Sequence, residues 1–283
     1  MTSRLAYSRM LDALEAQVGL VRYALAGDGL GTGADVTAPV ASCPGWSVHD
    51  LVVHLGAVNW WGAATVREAT PDTRTGGRGA VMESAPPVTE GAAALADWYS
   101  GLTAEMMTTF TDTAPDALVW TFSGPGRADF WPRRQLHETL VHRWDVENAL
   151  HGATATTPVP EDVAVDTVDE FCTVMRPHMA AHVPPLAVTI RLRGVPHAPE
   201  GPAAVGLAAG AEPVGASALG ALEWELPGTD GAGPDSTGAV EVAGPPETLA
   251  LLLWGRVGAD AAGLEIIGDR NGLDAALEAG LST

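Results

Sequence analysis

This chain contains, at residues 135–145, the stretch Gln135-Leu136-His137-Glu138-Thr139-Leu140-Val141-His142-Arg143-Trp144-Asp145. Glu138 and His142 are four residues apart in it, and on an α-helix that spacing stacks two side chains on one face, one turn apart. A carboxylate and an imidazole placed in this way are two ligands that one helix can offer to a metal ion. The same pair also occurs on helix surfaces and as a hydrogen-bonded pair in a core, so three interpretations stay open for the pair alone.

A second segment, Ser47-Val48-His49-Asp50-Leu51-Val52-Val53-His54, supplies a third candidate ligand. Ser47 and Asp50 have the spacing of a capping box and predict a helix that starts at Val48. His54 falls on the apolar face of this helix, where an imidazole without a partner would be costly to bury. Two histidines and one carboxylate that leave a coordination position open are typical of a catalytic metal site.

Hydrophobic periodicity predicts an α+β protein that begins with a four-helix bundle. The bundle helices are expected at about residues 3–26, 48–68, 88–113 and 129–150, with a polar loop over 71–87 and a fifth helix over 161–179. Bundle cores are common places for metal sites. The core of this bundle is therefore where we expect the three candidate ligands to meet.

After the two prolines at 184 and 185 the pattern changes to short alternating strands. Strands are expected at 187–193, 222–226, 239–242 and 264–267, and helices at 248–257 and 273–279. These elements predict a smaller C-terminal α+β domain over 184–283, after a helical domain over 1–183. The stretch 194–217 is low in complexity and is expected to be poorly ordered.

Composition limits the function. The 283 residues are 46% hydrophobic and carry a formal charge of −20, which disfavours nucleic acid and anionic membrane surfaces as partners. We find no uninterrupted apolar run of about 18 to 20 residues that would span a membrane, and no apolar signal-peptide core at the N-terminus. The two distant cysteines form no disulfide framework, which favours a reduced, cytoplasmic setting.

Several segments resemble the signature segments of the mycothiol-dependent maleylpyruvate isomerase family, whose N-terminal part belongs to the DinB-like metal-binding four-helix bundles. They are Cys43–Ser47, Asp50–Leu55 and His137–Asp145 in the predicted bundle, and Leu251–Arg256 in the predicted second domain. The resemblance thus touches most of the chain. It is more specific for the superfamily than for one reaction.

The resemblance implies that His54, Glu138 and His142 bind a divalent metal, with zinc as the best fit, and that mycothiol is the cosubstrate. It also implies that Arg256 is a catalytic residue that contacts an anionic substrate. A thiol at such a metal is deprotonated at neutral pH and attacks an electrophilic small molecule. The predicted enzyme is therefore a thiol S-transferase or a cis–trans isomerase, with no prediction about its oligomeric state.

Other interpretations stay open at this point. Two histidines and a carboxylate also describe non-haem metal oxygenases, and a bundle with an α+β domain can be a non-catalytic module that binds a small ligand. Arg256 also fits a charge that complements a helix C-terminus. Cys43 is interpreted as a small packing residue, and Asp145 either orients His142 or is a plain surface acid.

Overall fold

The computed structural model of the chain describes residues 4–27, 33–70, 74–195, 222–229 and 239–281. It divides into two compact units, Leu5–Pro158 and the part from Val159 onward. The predicted α+β class is confirmed, with a helical N-terminal region and a small sheet in the C-terminal unit. The domain limit predicted after residue 183 stays a prediction. Most of the low-complexity stretch 194–217 lies outside the described residues.

Four long helices form the bundle of the N-terminal unit: α1 (Tyr7–Ala26), α2 (Val48–Glu68), α4 (Gly91–Asp112) and α5 (Phe130–His151). Helices α1 and α2 each lie against both α4 and α5. The side chain of Ser47 accepts a hydrogen bond from the Asp50 amide, and the Asp50 carboxylate accepts one from the Ser47 amide. The predicted capping box is thus present and fixes the start of α2.

Close approach of helices shapes the core of the bundle. Gly56 of α2 lies beneath the ring of Trp98 from α4, where a Cβ atom would come within 2.6 Å of the indole. A larger residue at position 56 would therefore push the two helices apart. On α1 the residues Leu14, Val21 and Leu25 are fully buried, so its predicted apolar stripe faces the bundle.

The connections of the bundle hold structure that the sequence did not predict. The predicted loop over 71–87 contains a short helix, α3 (Arg78–Glu83). A β-hairpin, β1 (Leu118–Thr121) and β2 (Gly124–Arg127), precedes α5. Strand β2 is only four residues long and contains two glycines and a proline, so it lacks the alternating apolar pattern that marks a strand in sequence.

The C-terminal unit begins with helical segments. The predicted helix over 161–179 is present as α6 (Glu161–Glu170), a π-helical turn over Phe171–Met175 and α7 (Arg176–Met179). Helix α6 packs against α8 (Pro246–Leu253). A last helix, α9, runs over Arg270–Glu278.

The sheet of this unit has four strands in the order β4-β3-β5-β6, with β3 and β5 parallel and the other neighbours antiparallel. The strands are β3 (Thr189–Gly194), β4 (Leu222–Leu226), β5 (Ala239–Gly244) and β6 (Glu265–Gly268). Ile190 and Leu192 are buried while Arg191 between them is exposed, as the side-chain alternation of a strand requires. None of the helices in the described ranges combines the length and apolarity of a membrane span.

Candidate metal centre

The bundle brings three of the sequence-predicted site residues together. His54 comes from α2, and Glu138 and His142 come from consecutive turns of α5. The Nε2 atoms of His54 and His142 each lie 3.4 Å from Oε1 of Glu138. The candidate donor atoms of all three side chains lie within 4.8 Å of one another. The helical spacing therefore brings Glu138 and His142 together, and His54 reaches them from the neighbouring helix; their role as metal ligands stays a prediction.

The spacing of these atoms fits a metal ion. Two donors at tetrahedral angles around an ion, each about 2.1 Å from it, are separated by about 3.4 Å. The two nitrogen–oxygen distances match that separation, although they are long for hydrogen bonds. The side chains keep between 13% and 24% of their surface exposed, so the group is open on one side, as a catalytic site requires.

Arg134 fixes the orientation of Glu138. Its guanidinium is almost fully buried, and Nη2 donates to Oε2 of Glu138 at 2.8 Å, one helical turn away. This contact leaves Oε1 to face the two imidazoles. Burial by itself would raise the pKa of Glu138, but hydrogen bonds to His142 and His54, with the charges of His142 and Arg134, hold it well below its usual range. The carboxylate is therefore ionised and ready to bind a cation.

His142 is held from its other side by Asp145. The Nδ1 atom of His142 lies 2.9 Å from Oδ2 of Asp145, which is fully buried, and Ser42 donates to Oδ1 at 2.6 Å. This bond turns Nε2 of His142 toward Glu138, the arrangement that orients metal-binding histidines in many sites. Although burial lowers the pKa of His142, its bonds to Asp145 and Glu138 raise it to about 9.

Four neighbours of the site were not assigned to it from the sequence. Cys43, interpreted as a packing residue, is half-buried, and its sulfur lies within 4.8 Å of donor atoms of His142 and Asp145. The ring of Trp46 lies 5.0 Å from that of His54. The contact of Arg134 could have been predicted from the sequence, because Arg134 precedes Glu138 by one turn on the same face of the helix. The contacts of Ser42 and Cys43 depend on the loop before α2 and have no local pattern.

Arg256, the predicted catalytic residue, belongs to the C-terminal unit. It follows α8, and its Nη1 donates to the backbone carbonyl of Trp254 at 2.6 Å. That contact fixes the side chain near the end of α8. The role of Arg256 toward an anionic substrate stays a prediction.

Comparison with known proteins agrees with this geometry. Residues 20–147, which include α2, most of α5 and the three candidate ligands, match the family model of the mycothiol maleylpyruvate isomerase N-terminal domain. This segment belongs to that domain family. The resemblance stated from the sequence is thereby confirmed. No curated protein sequence matches the chain.

Two solved structures, both of mycothiol-dependent maleylpyruvate isomerases, have the same fold as this chain. One is a mycothiol-dependent maleylpyruvate isomerase, with 16% identity and a TM-score of 0.60. The other is a mutant of such an isomerase in which alanine replaces a histidine, with 14% identity and a TM-score of 0.57. Each likeness covers 93% of both chains. At these identities the likeness establishes the fold, and the chemistry has to be argued from the residues.

Proposed function

We propose that this protein is a metal-dependent enzyme that uses mycothiol, or a closely similar small thiol, as a nucleophile toward an electrophilic small molecule. The observation that carries the proposal is the convergence of His54, Glu138 and His142 at the spacing of metal ligands. The matched family domain over residues 20–147 supports the choice of thiol. The reaction is an isomerisation of the maleylpyruvate type or an S-transfer.

The chain's own residues perform the preparatory steps. Arg134 holds Glu138 ionised, and Asp145 holds His142 with Nε2 turned inward. A divalent ion held by this set, best zinc because it accepts nitrogen, oxygen and sulfur and undergoes no redox change, would lower the pKa of a thiol so that the thiolate exists at neutral pH. Trp46 beside His54 supplies an apolar surface next to the site.

The thiolate then adds to a carbon–carbon double bond conjugated to a carbonyl, and the electron pair moves onto the carbonyl oxygen. In an isomerisation, rotation about the resulting single bond and expulsion of the thiolate give the trans product. In an S-transfer, the adduct takes up a proton and leaves as a thioether. An arginine, for which Arg256 is our candidate, would hold the carboxylate of the electrophile and stabilise the developing negative charge.

We place this reaction in the cytoplasm. Burial raises the pKa of Cys172 to about 12, so this thiol is unreactive. A buried, unoxidised thiol and a low-molecular-weight thiol substrate both belong to a reducing compartment.

Replacement of His142 tests the proposal. In the variant His142→Ala we expect metal content and mycothiol-dependent turnover to fall by more than about 100-fold, a larger loss than the removal of a residue behind the ligands produces. The matched control is His151→Ala, an exposed histidine at the end of the same helix. The measurements are elemental analysis, titration calorimetry with mycothiol, and turnover of maleylpyruvate.

Three outcomes would refute the assignment. Full metal content in the His142→Ala variant would remove the residue from the ligand set. Iron in the purified protein with oxygen consumption would favour an oxygenase. A protein that binds neither metal nor thiol would favour a non-catalytic ligand-binding module.

A further inference from the structure

A cluster of five aromatic rings lies where the hairpin packs on the two helices that carry the candidate metal centre. We call it the aromatic cluster; it consists of Trp61 from α2, Trp120 and Phe122 from the hairpin, and Phe130 and Trp131 from the start of α5. The ring centroids of Trp61 and Trp131 are 4.9 Å apart, and those of Trp61 and Trp120 are 6.0 Å apart.

The position of this cluster relative to the metal centre follows from helix geometry. Trp61 comes seven residues after His54, and Trp131 comes seven residues before Glu138. Seven residues are about two helical turns, or about 10 Å along the axis, and return to the same face. The aromatic cluster therefore lies about 10 Å from the candidate metal centre along the line where α2 meets α5.

A five-residue segment, Arg74-Thr75-Gly76-Gly77-Arg78, is fixed against α2 beside this cluster. The indole nitrogen of Trp61 donates to the carbonyl of Thr75 at 2.8 Å, and the hydroxyl of Thr75 donates to Glu68 at 2.7 Å. Gly77 has a φ of 92° and sits so close to Trp60 that a Cβ atom would lie 3.0 Å from the ring. These contacts fix the backbone between the two arginines.

Both ends of this segment place a guanidinium beside the same indole. The Cζ atom of Arg74 lies 5.1 Å from the ring centroid of Trp61 and 6.0 Å from that of Trp120, and the Cζ atom of Arg78 lies 5.9 Å from Trp61. Cation–π attraction accounts for one guanidinium at such a ring. Two guanidinium groups beside one ring concentrate positive charge at this point of the surface.

The carboxylate of Glu68, which accepts from Thr75 between the two arginines, forms no ion pair with either of them in the described part of the chain. Neither Arg74 nor Arg78 forms an ion pair or a hydrogen bond there, whereas the exposed Arg127 pairs with Asp129 and the exposed Arg191 pairs with Glu225. The protein has 35 acidic residues against 15 basic ones. In so acidic a protein, two arginines four residues apart that form no ion pair in the described structure make a locally positive site.

We propose that Arg74 and Arg78, with the faces of Trp61 and Trp120, form a binding site for a small planar carboxylate. Guanidinium groups bind carboxylates through two parallel hydrogen bonds, and aromatic rings favour a flat ligand over a tetrahedral one. The link to the thiol chemistry rests on the proposed function. In that reaction the site would hold a carboxylate of the electrophile, and the double bond of the electrophile would extend toward the metal centre.

The test is direct binding to the metal-free protein, in which the thiol chemistry plays no part. Maleate, a small planar dicarboxylate, is titrated into protein treated with chelator, and calorimetry and tryptophan fluorescence follow binding. We expect saturable binding that weakens by about tenfold or more in Arg74→Gln, in Arg78→Gln and in the double variant, because each change removes charged hydrogen bonds. The matched control is Arg22→Gln, an exposed arginine on α1.

The proposal is overturned if the protein shows no saturable binding of maleate. It is also overturned if the double variant binds maleate as the unaltered protein does, or if Arg22→Gln weakens binding equally. Tighter binding of inorganic phosphate than of maleate would contradict the choice of ligand class. Because no metal is present in this experiment, a failure of the unaltered protein to bind maleate refutes only this site, whereas full metal content in His142→Ala refutes only the proposed function.

Discussion

Helices α4 and α5 have the same length, 22 residues, and pack in the same bundle. They differ in the side chains that they bury, which are almost all apolar in α4 and include many charged or polar ones in α5. The buried residues of α4 form an apolar stripe interrupted only by Thr103. Helix α5 buries, besides its apolar residues, a set of charged or strongly polar side chains: Arg133, Arg134, Gln135, His137, Thr139, Arg143, Asp145 and Glu147. A buried charge needs a partner, so α5 is held by specific pairs where α4 is held by packing.

This difference separates the part of the bundle that makes the fold from the part that makes the site. The apolar stripe of α4 tolerates any residues of similar volume. The polar residues of α5 are arranged in pairs that each occupy one turn, such as Arg134 with Glu138 and Arg143 with Glu147. Changes to α4 should therefore alter stability alone, whereas changes to α5 alter stability or metal binding according to the pair that they break.

The largest expected effect comes from Arg143 of α5. Its guanidinium is fully buried, donates to Gln17 and the carbonyl of Thr157, and pairs with Glu147 at 2.6 Å. In Arg143→Met the buried carboxylate of Glu147 loses its cation, so we expect a loss of about 3–5 kcal/mol in the free energy of unfolding, measured by urea denaturation. The double variant Arg143→Met/Glu147→Leu should recover most of it. A loss below about 1 kcal/mol in the single variant would contradict the view that buried ion pairs hold α5 whereas packing holds α4.

A smaller effect is expected from Asp145→Asn, which keeps the shape of the side chain but removes its charge. Because Asp145 orients His142, metal affinity should fall by about 10–100-fold. Chelator competition measures the affinity. Asp12→Asn, at an exposed acid of α1, is the control. Unchanged metal affinity in Asp145→Asn would show that the contact with His142 has no bearing on the metal.

The dependence of metal binding on pH tests the same pair. In the metal-free protein the pKa of His142 is raised to about 9, so the residue carries a proton at pH 7 that a metal ion must displace. Metal affinity should therefore rise about tenfold per pH unit from pH 7 to about 9 and then level off. Calorimetry in buffers of different ionisation enthalpy should detect one proton released at pH 7. If metal affinity did not depend on pH over this range, the raised pKa of His142, and with it the pairing of His142 with Asp145, would be contradicted.

The raised pKa of His142 has the opposite effect on the stability of the metal-free protein. Because the folded pKa of His142 lies above the ordinary value of 6.5, its contribution to stability is complete below about pH 6.5 and is lost as the pH rises through 9. Metal-free protein should thus lose stability over the range in which metal affinity increases.

The smallest expected effect lies in α4. Tyr99 is fully buried, and its hydroxyl has no hydrogen-bond partner in the described structure. Tyr99→Phe removes a polar group that is costly to bury, so the free energy of unfolding should stay the same or rise by up to about 1 kcal/mol. Tyr7→Phe is the matched control, since Tyr7 donates to the carbonyl of Phe110 at 2.6 Å and should lose about 1 kcal/mol. Equal losses in the two variants would mean that Tyr99 has a partner.

Much of the fold could be predicted from the sequence, because periodicity and capping are local properties. The capping box of Ser47 and Asp50 gave the start of α2, and alternation gave the strands of the C-terminal sheet. The hairpin before α5 could not be predicted in this way. Strand β2 pairs with β1 only a few residues away but carries no apolar alternation, and the ring of Phe122 in the turn packs against Trp61, which is distant in the sequence.

The sequence by itself determined which side chains can share a helical face, so it placed Glu138 with His142 and nominated His54 as their partner. Only the tertiary structure decided that Oε1 of Glu138 faces both imidazoles, that Arg134 and Asp145 hold the two α5 residues in place, and that Arg74 and Arg78 share one indole. The physical reason is that helical phase depends on neighbours along the chain, whereas a distance between two helices depends on how the whole core packs.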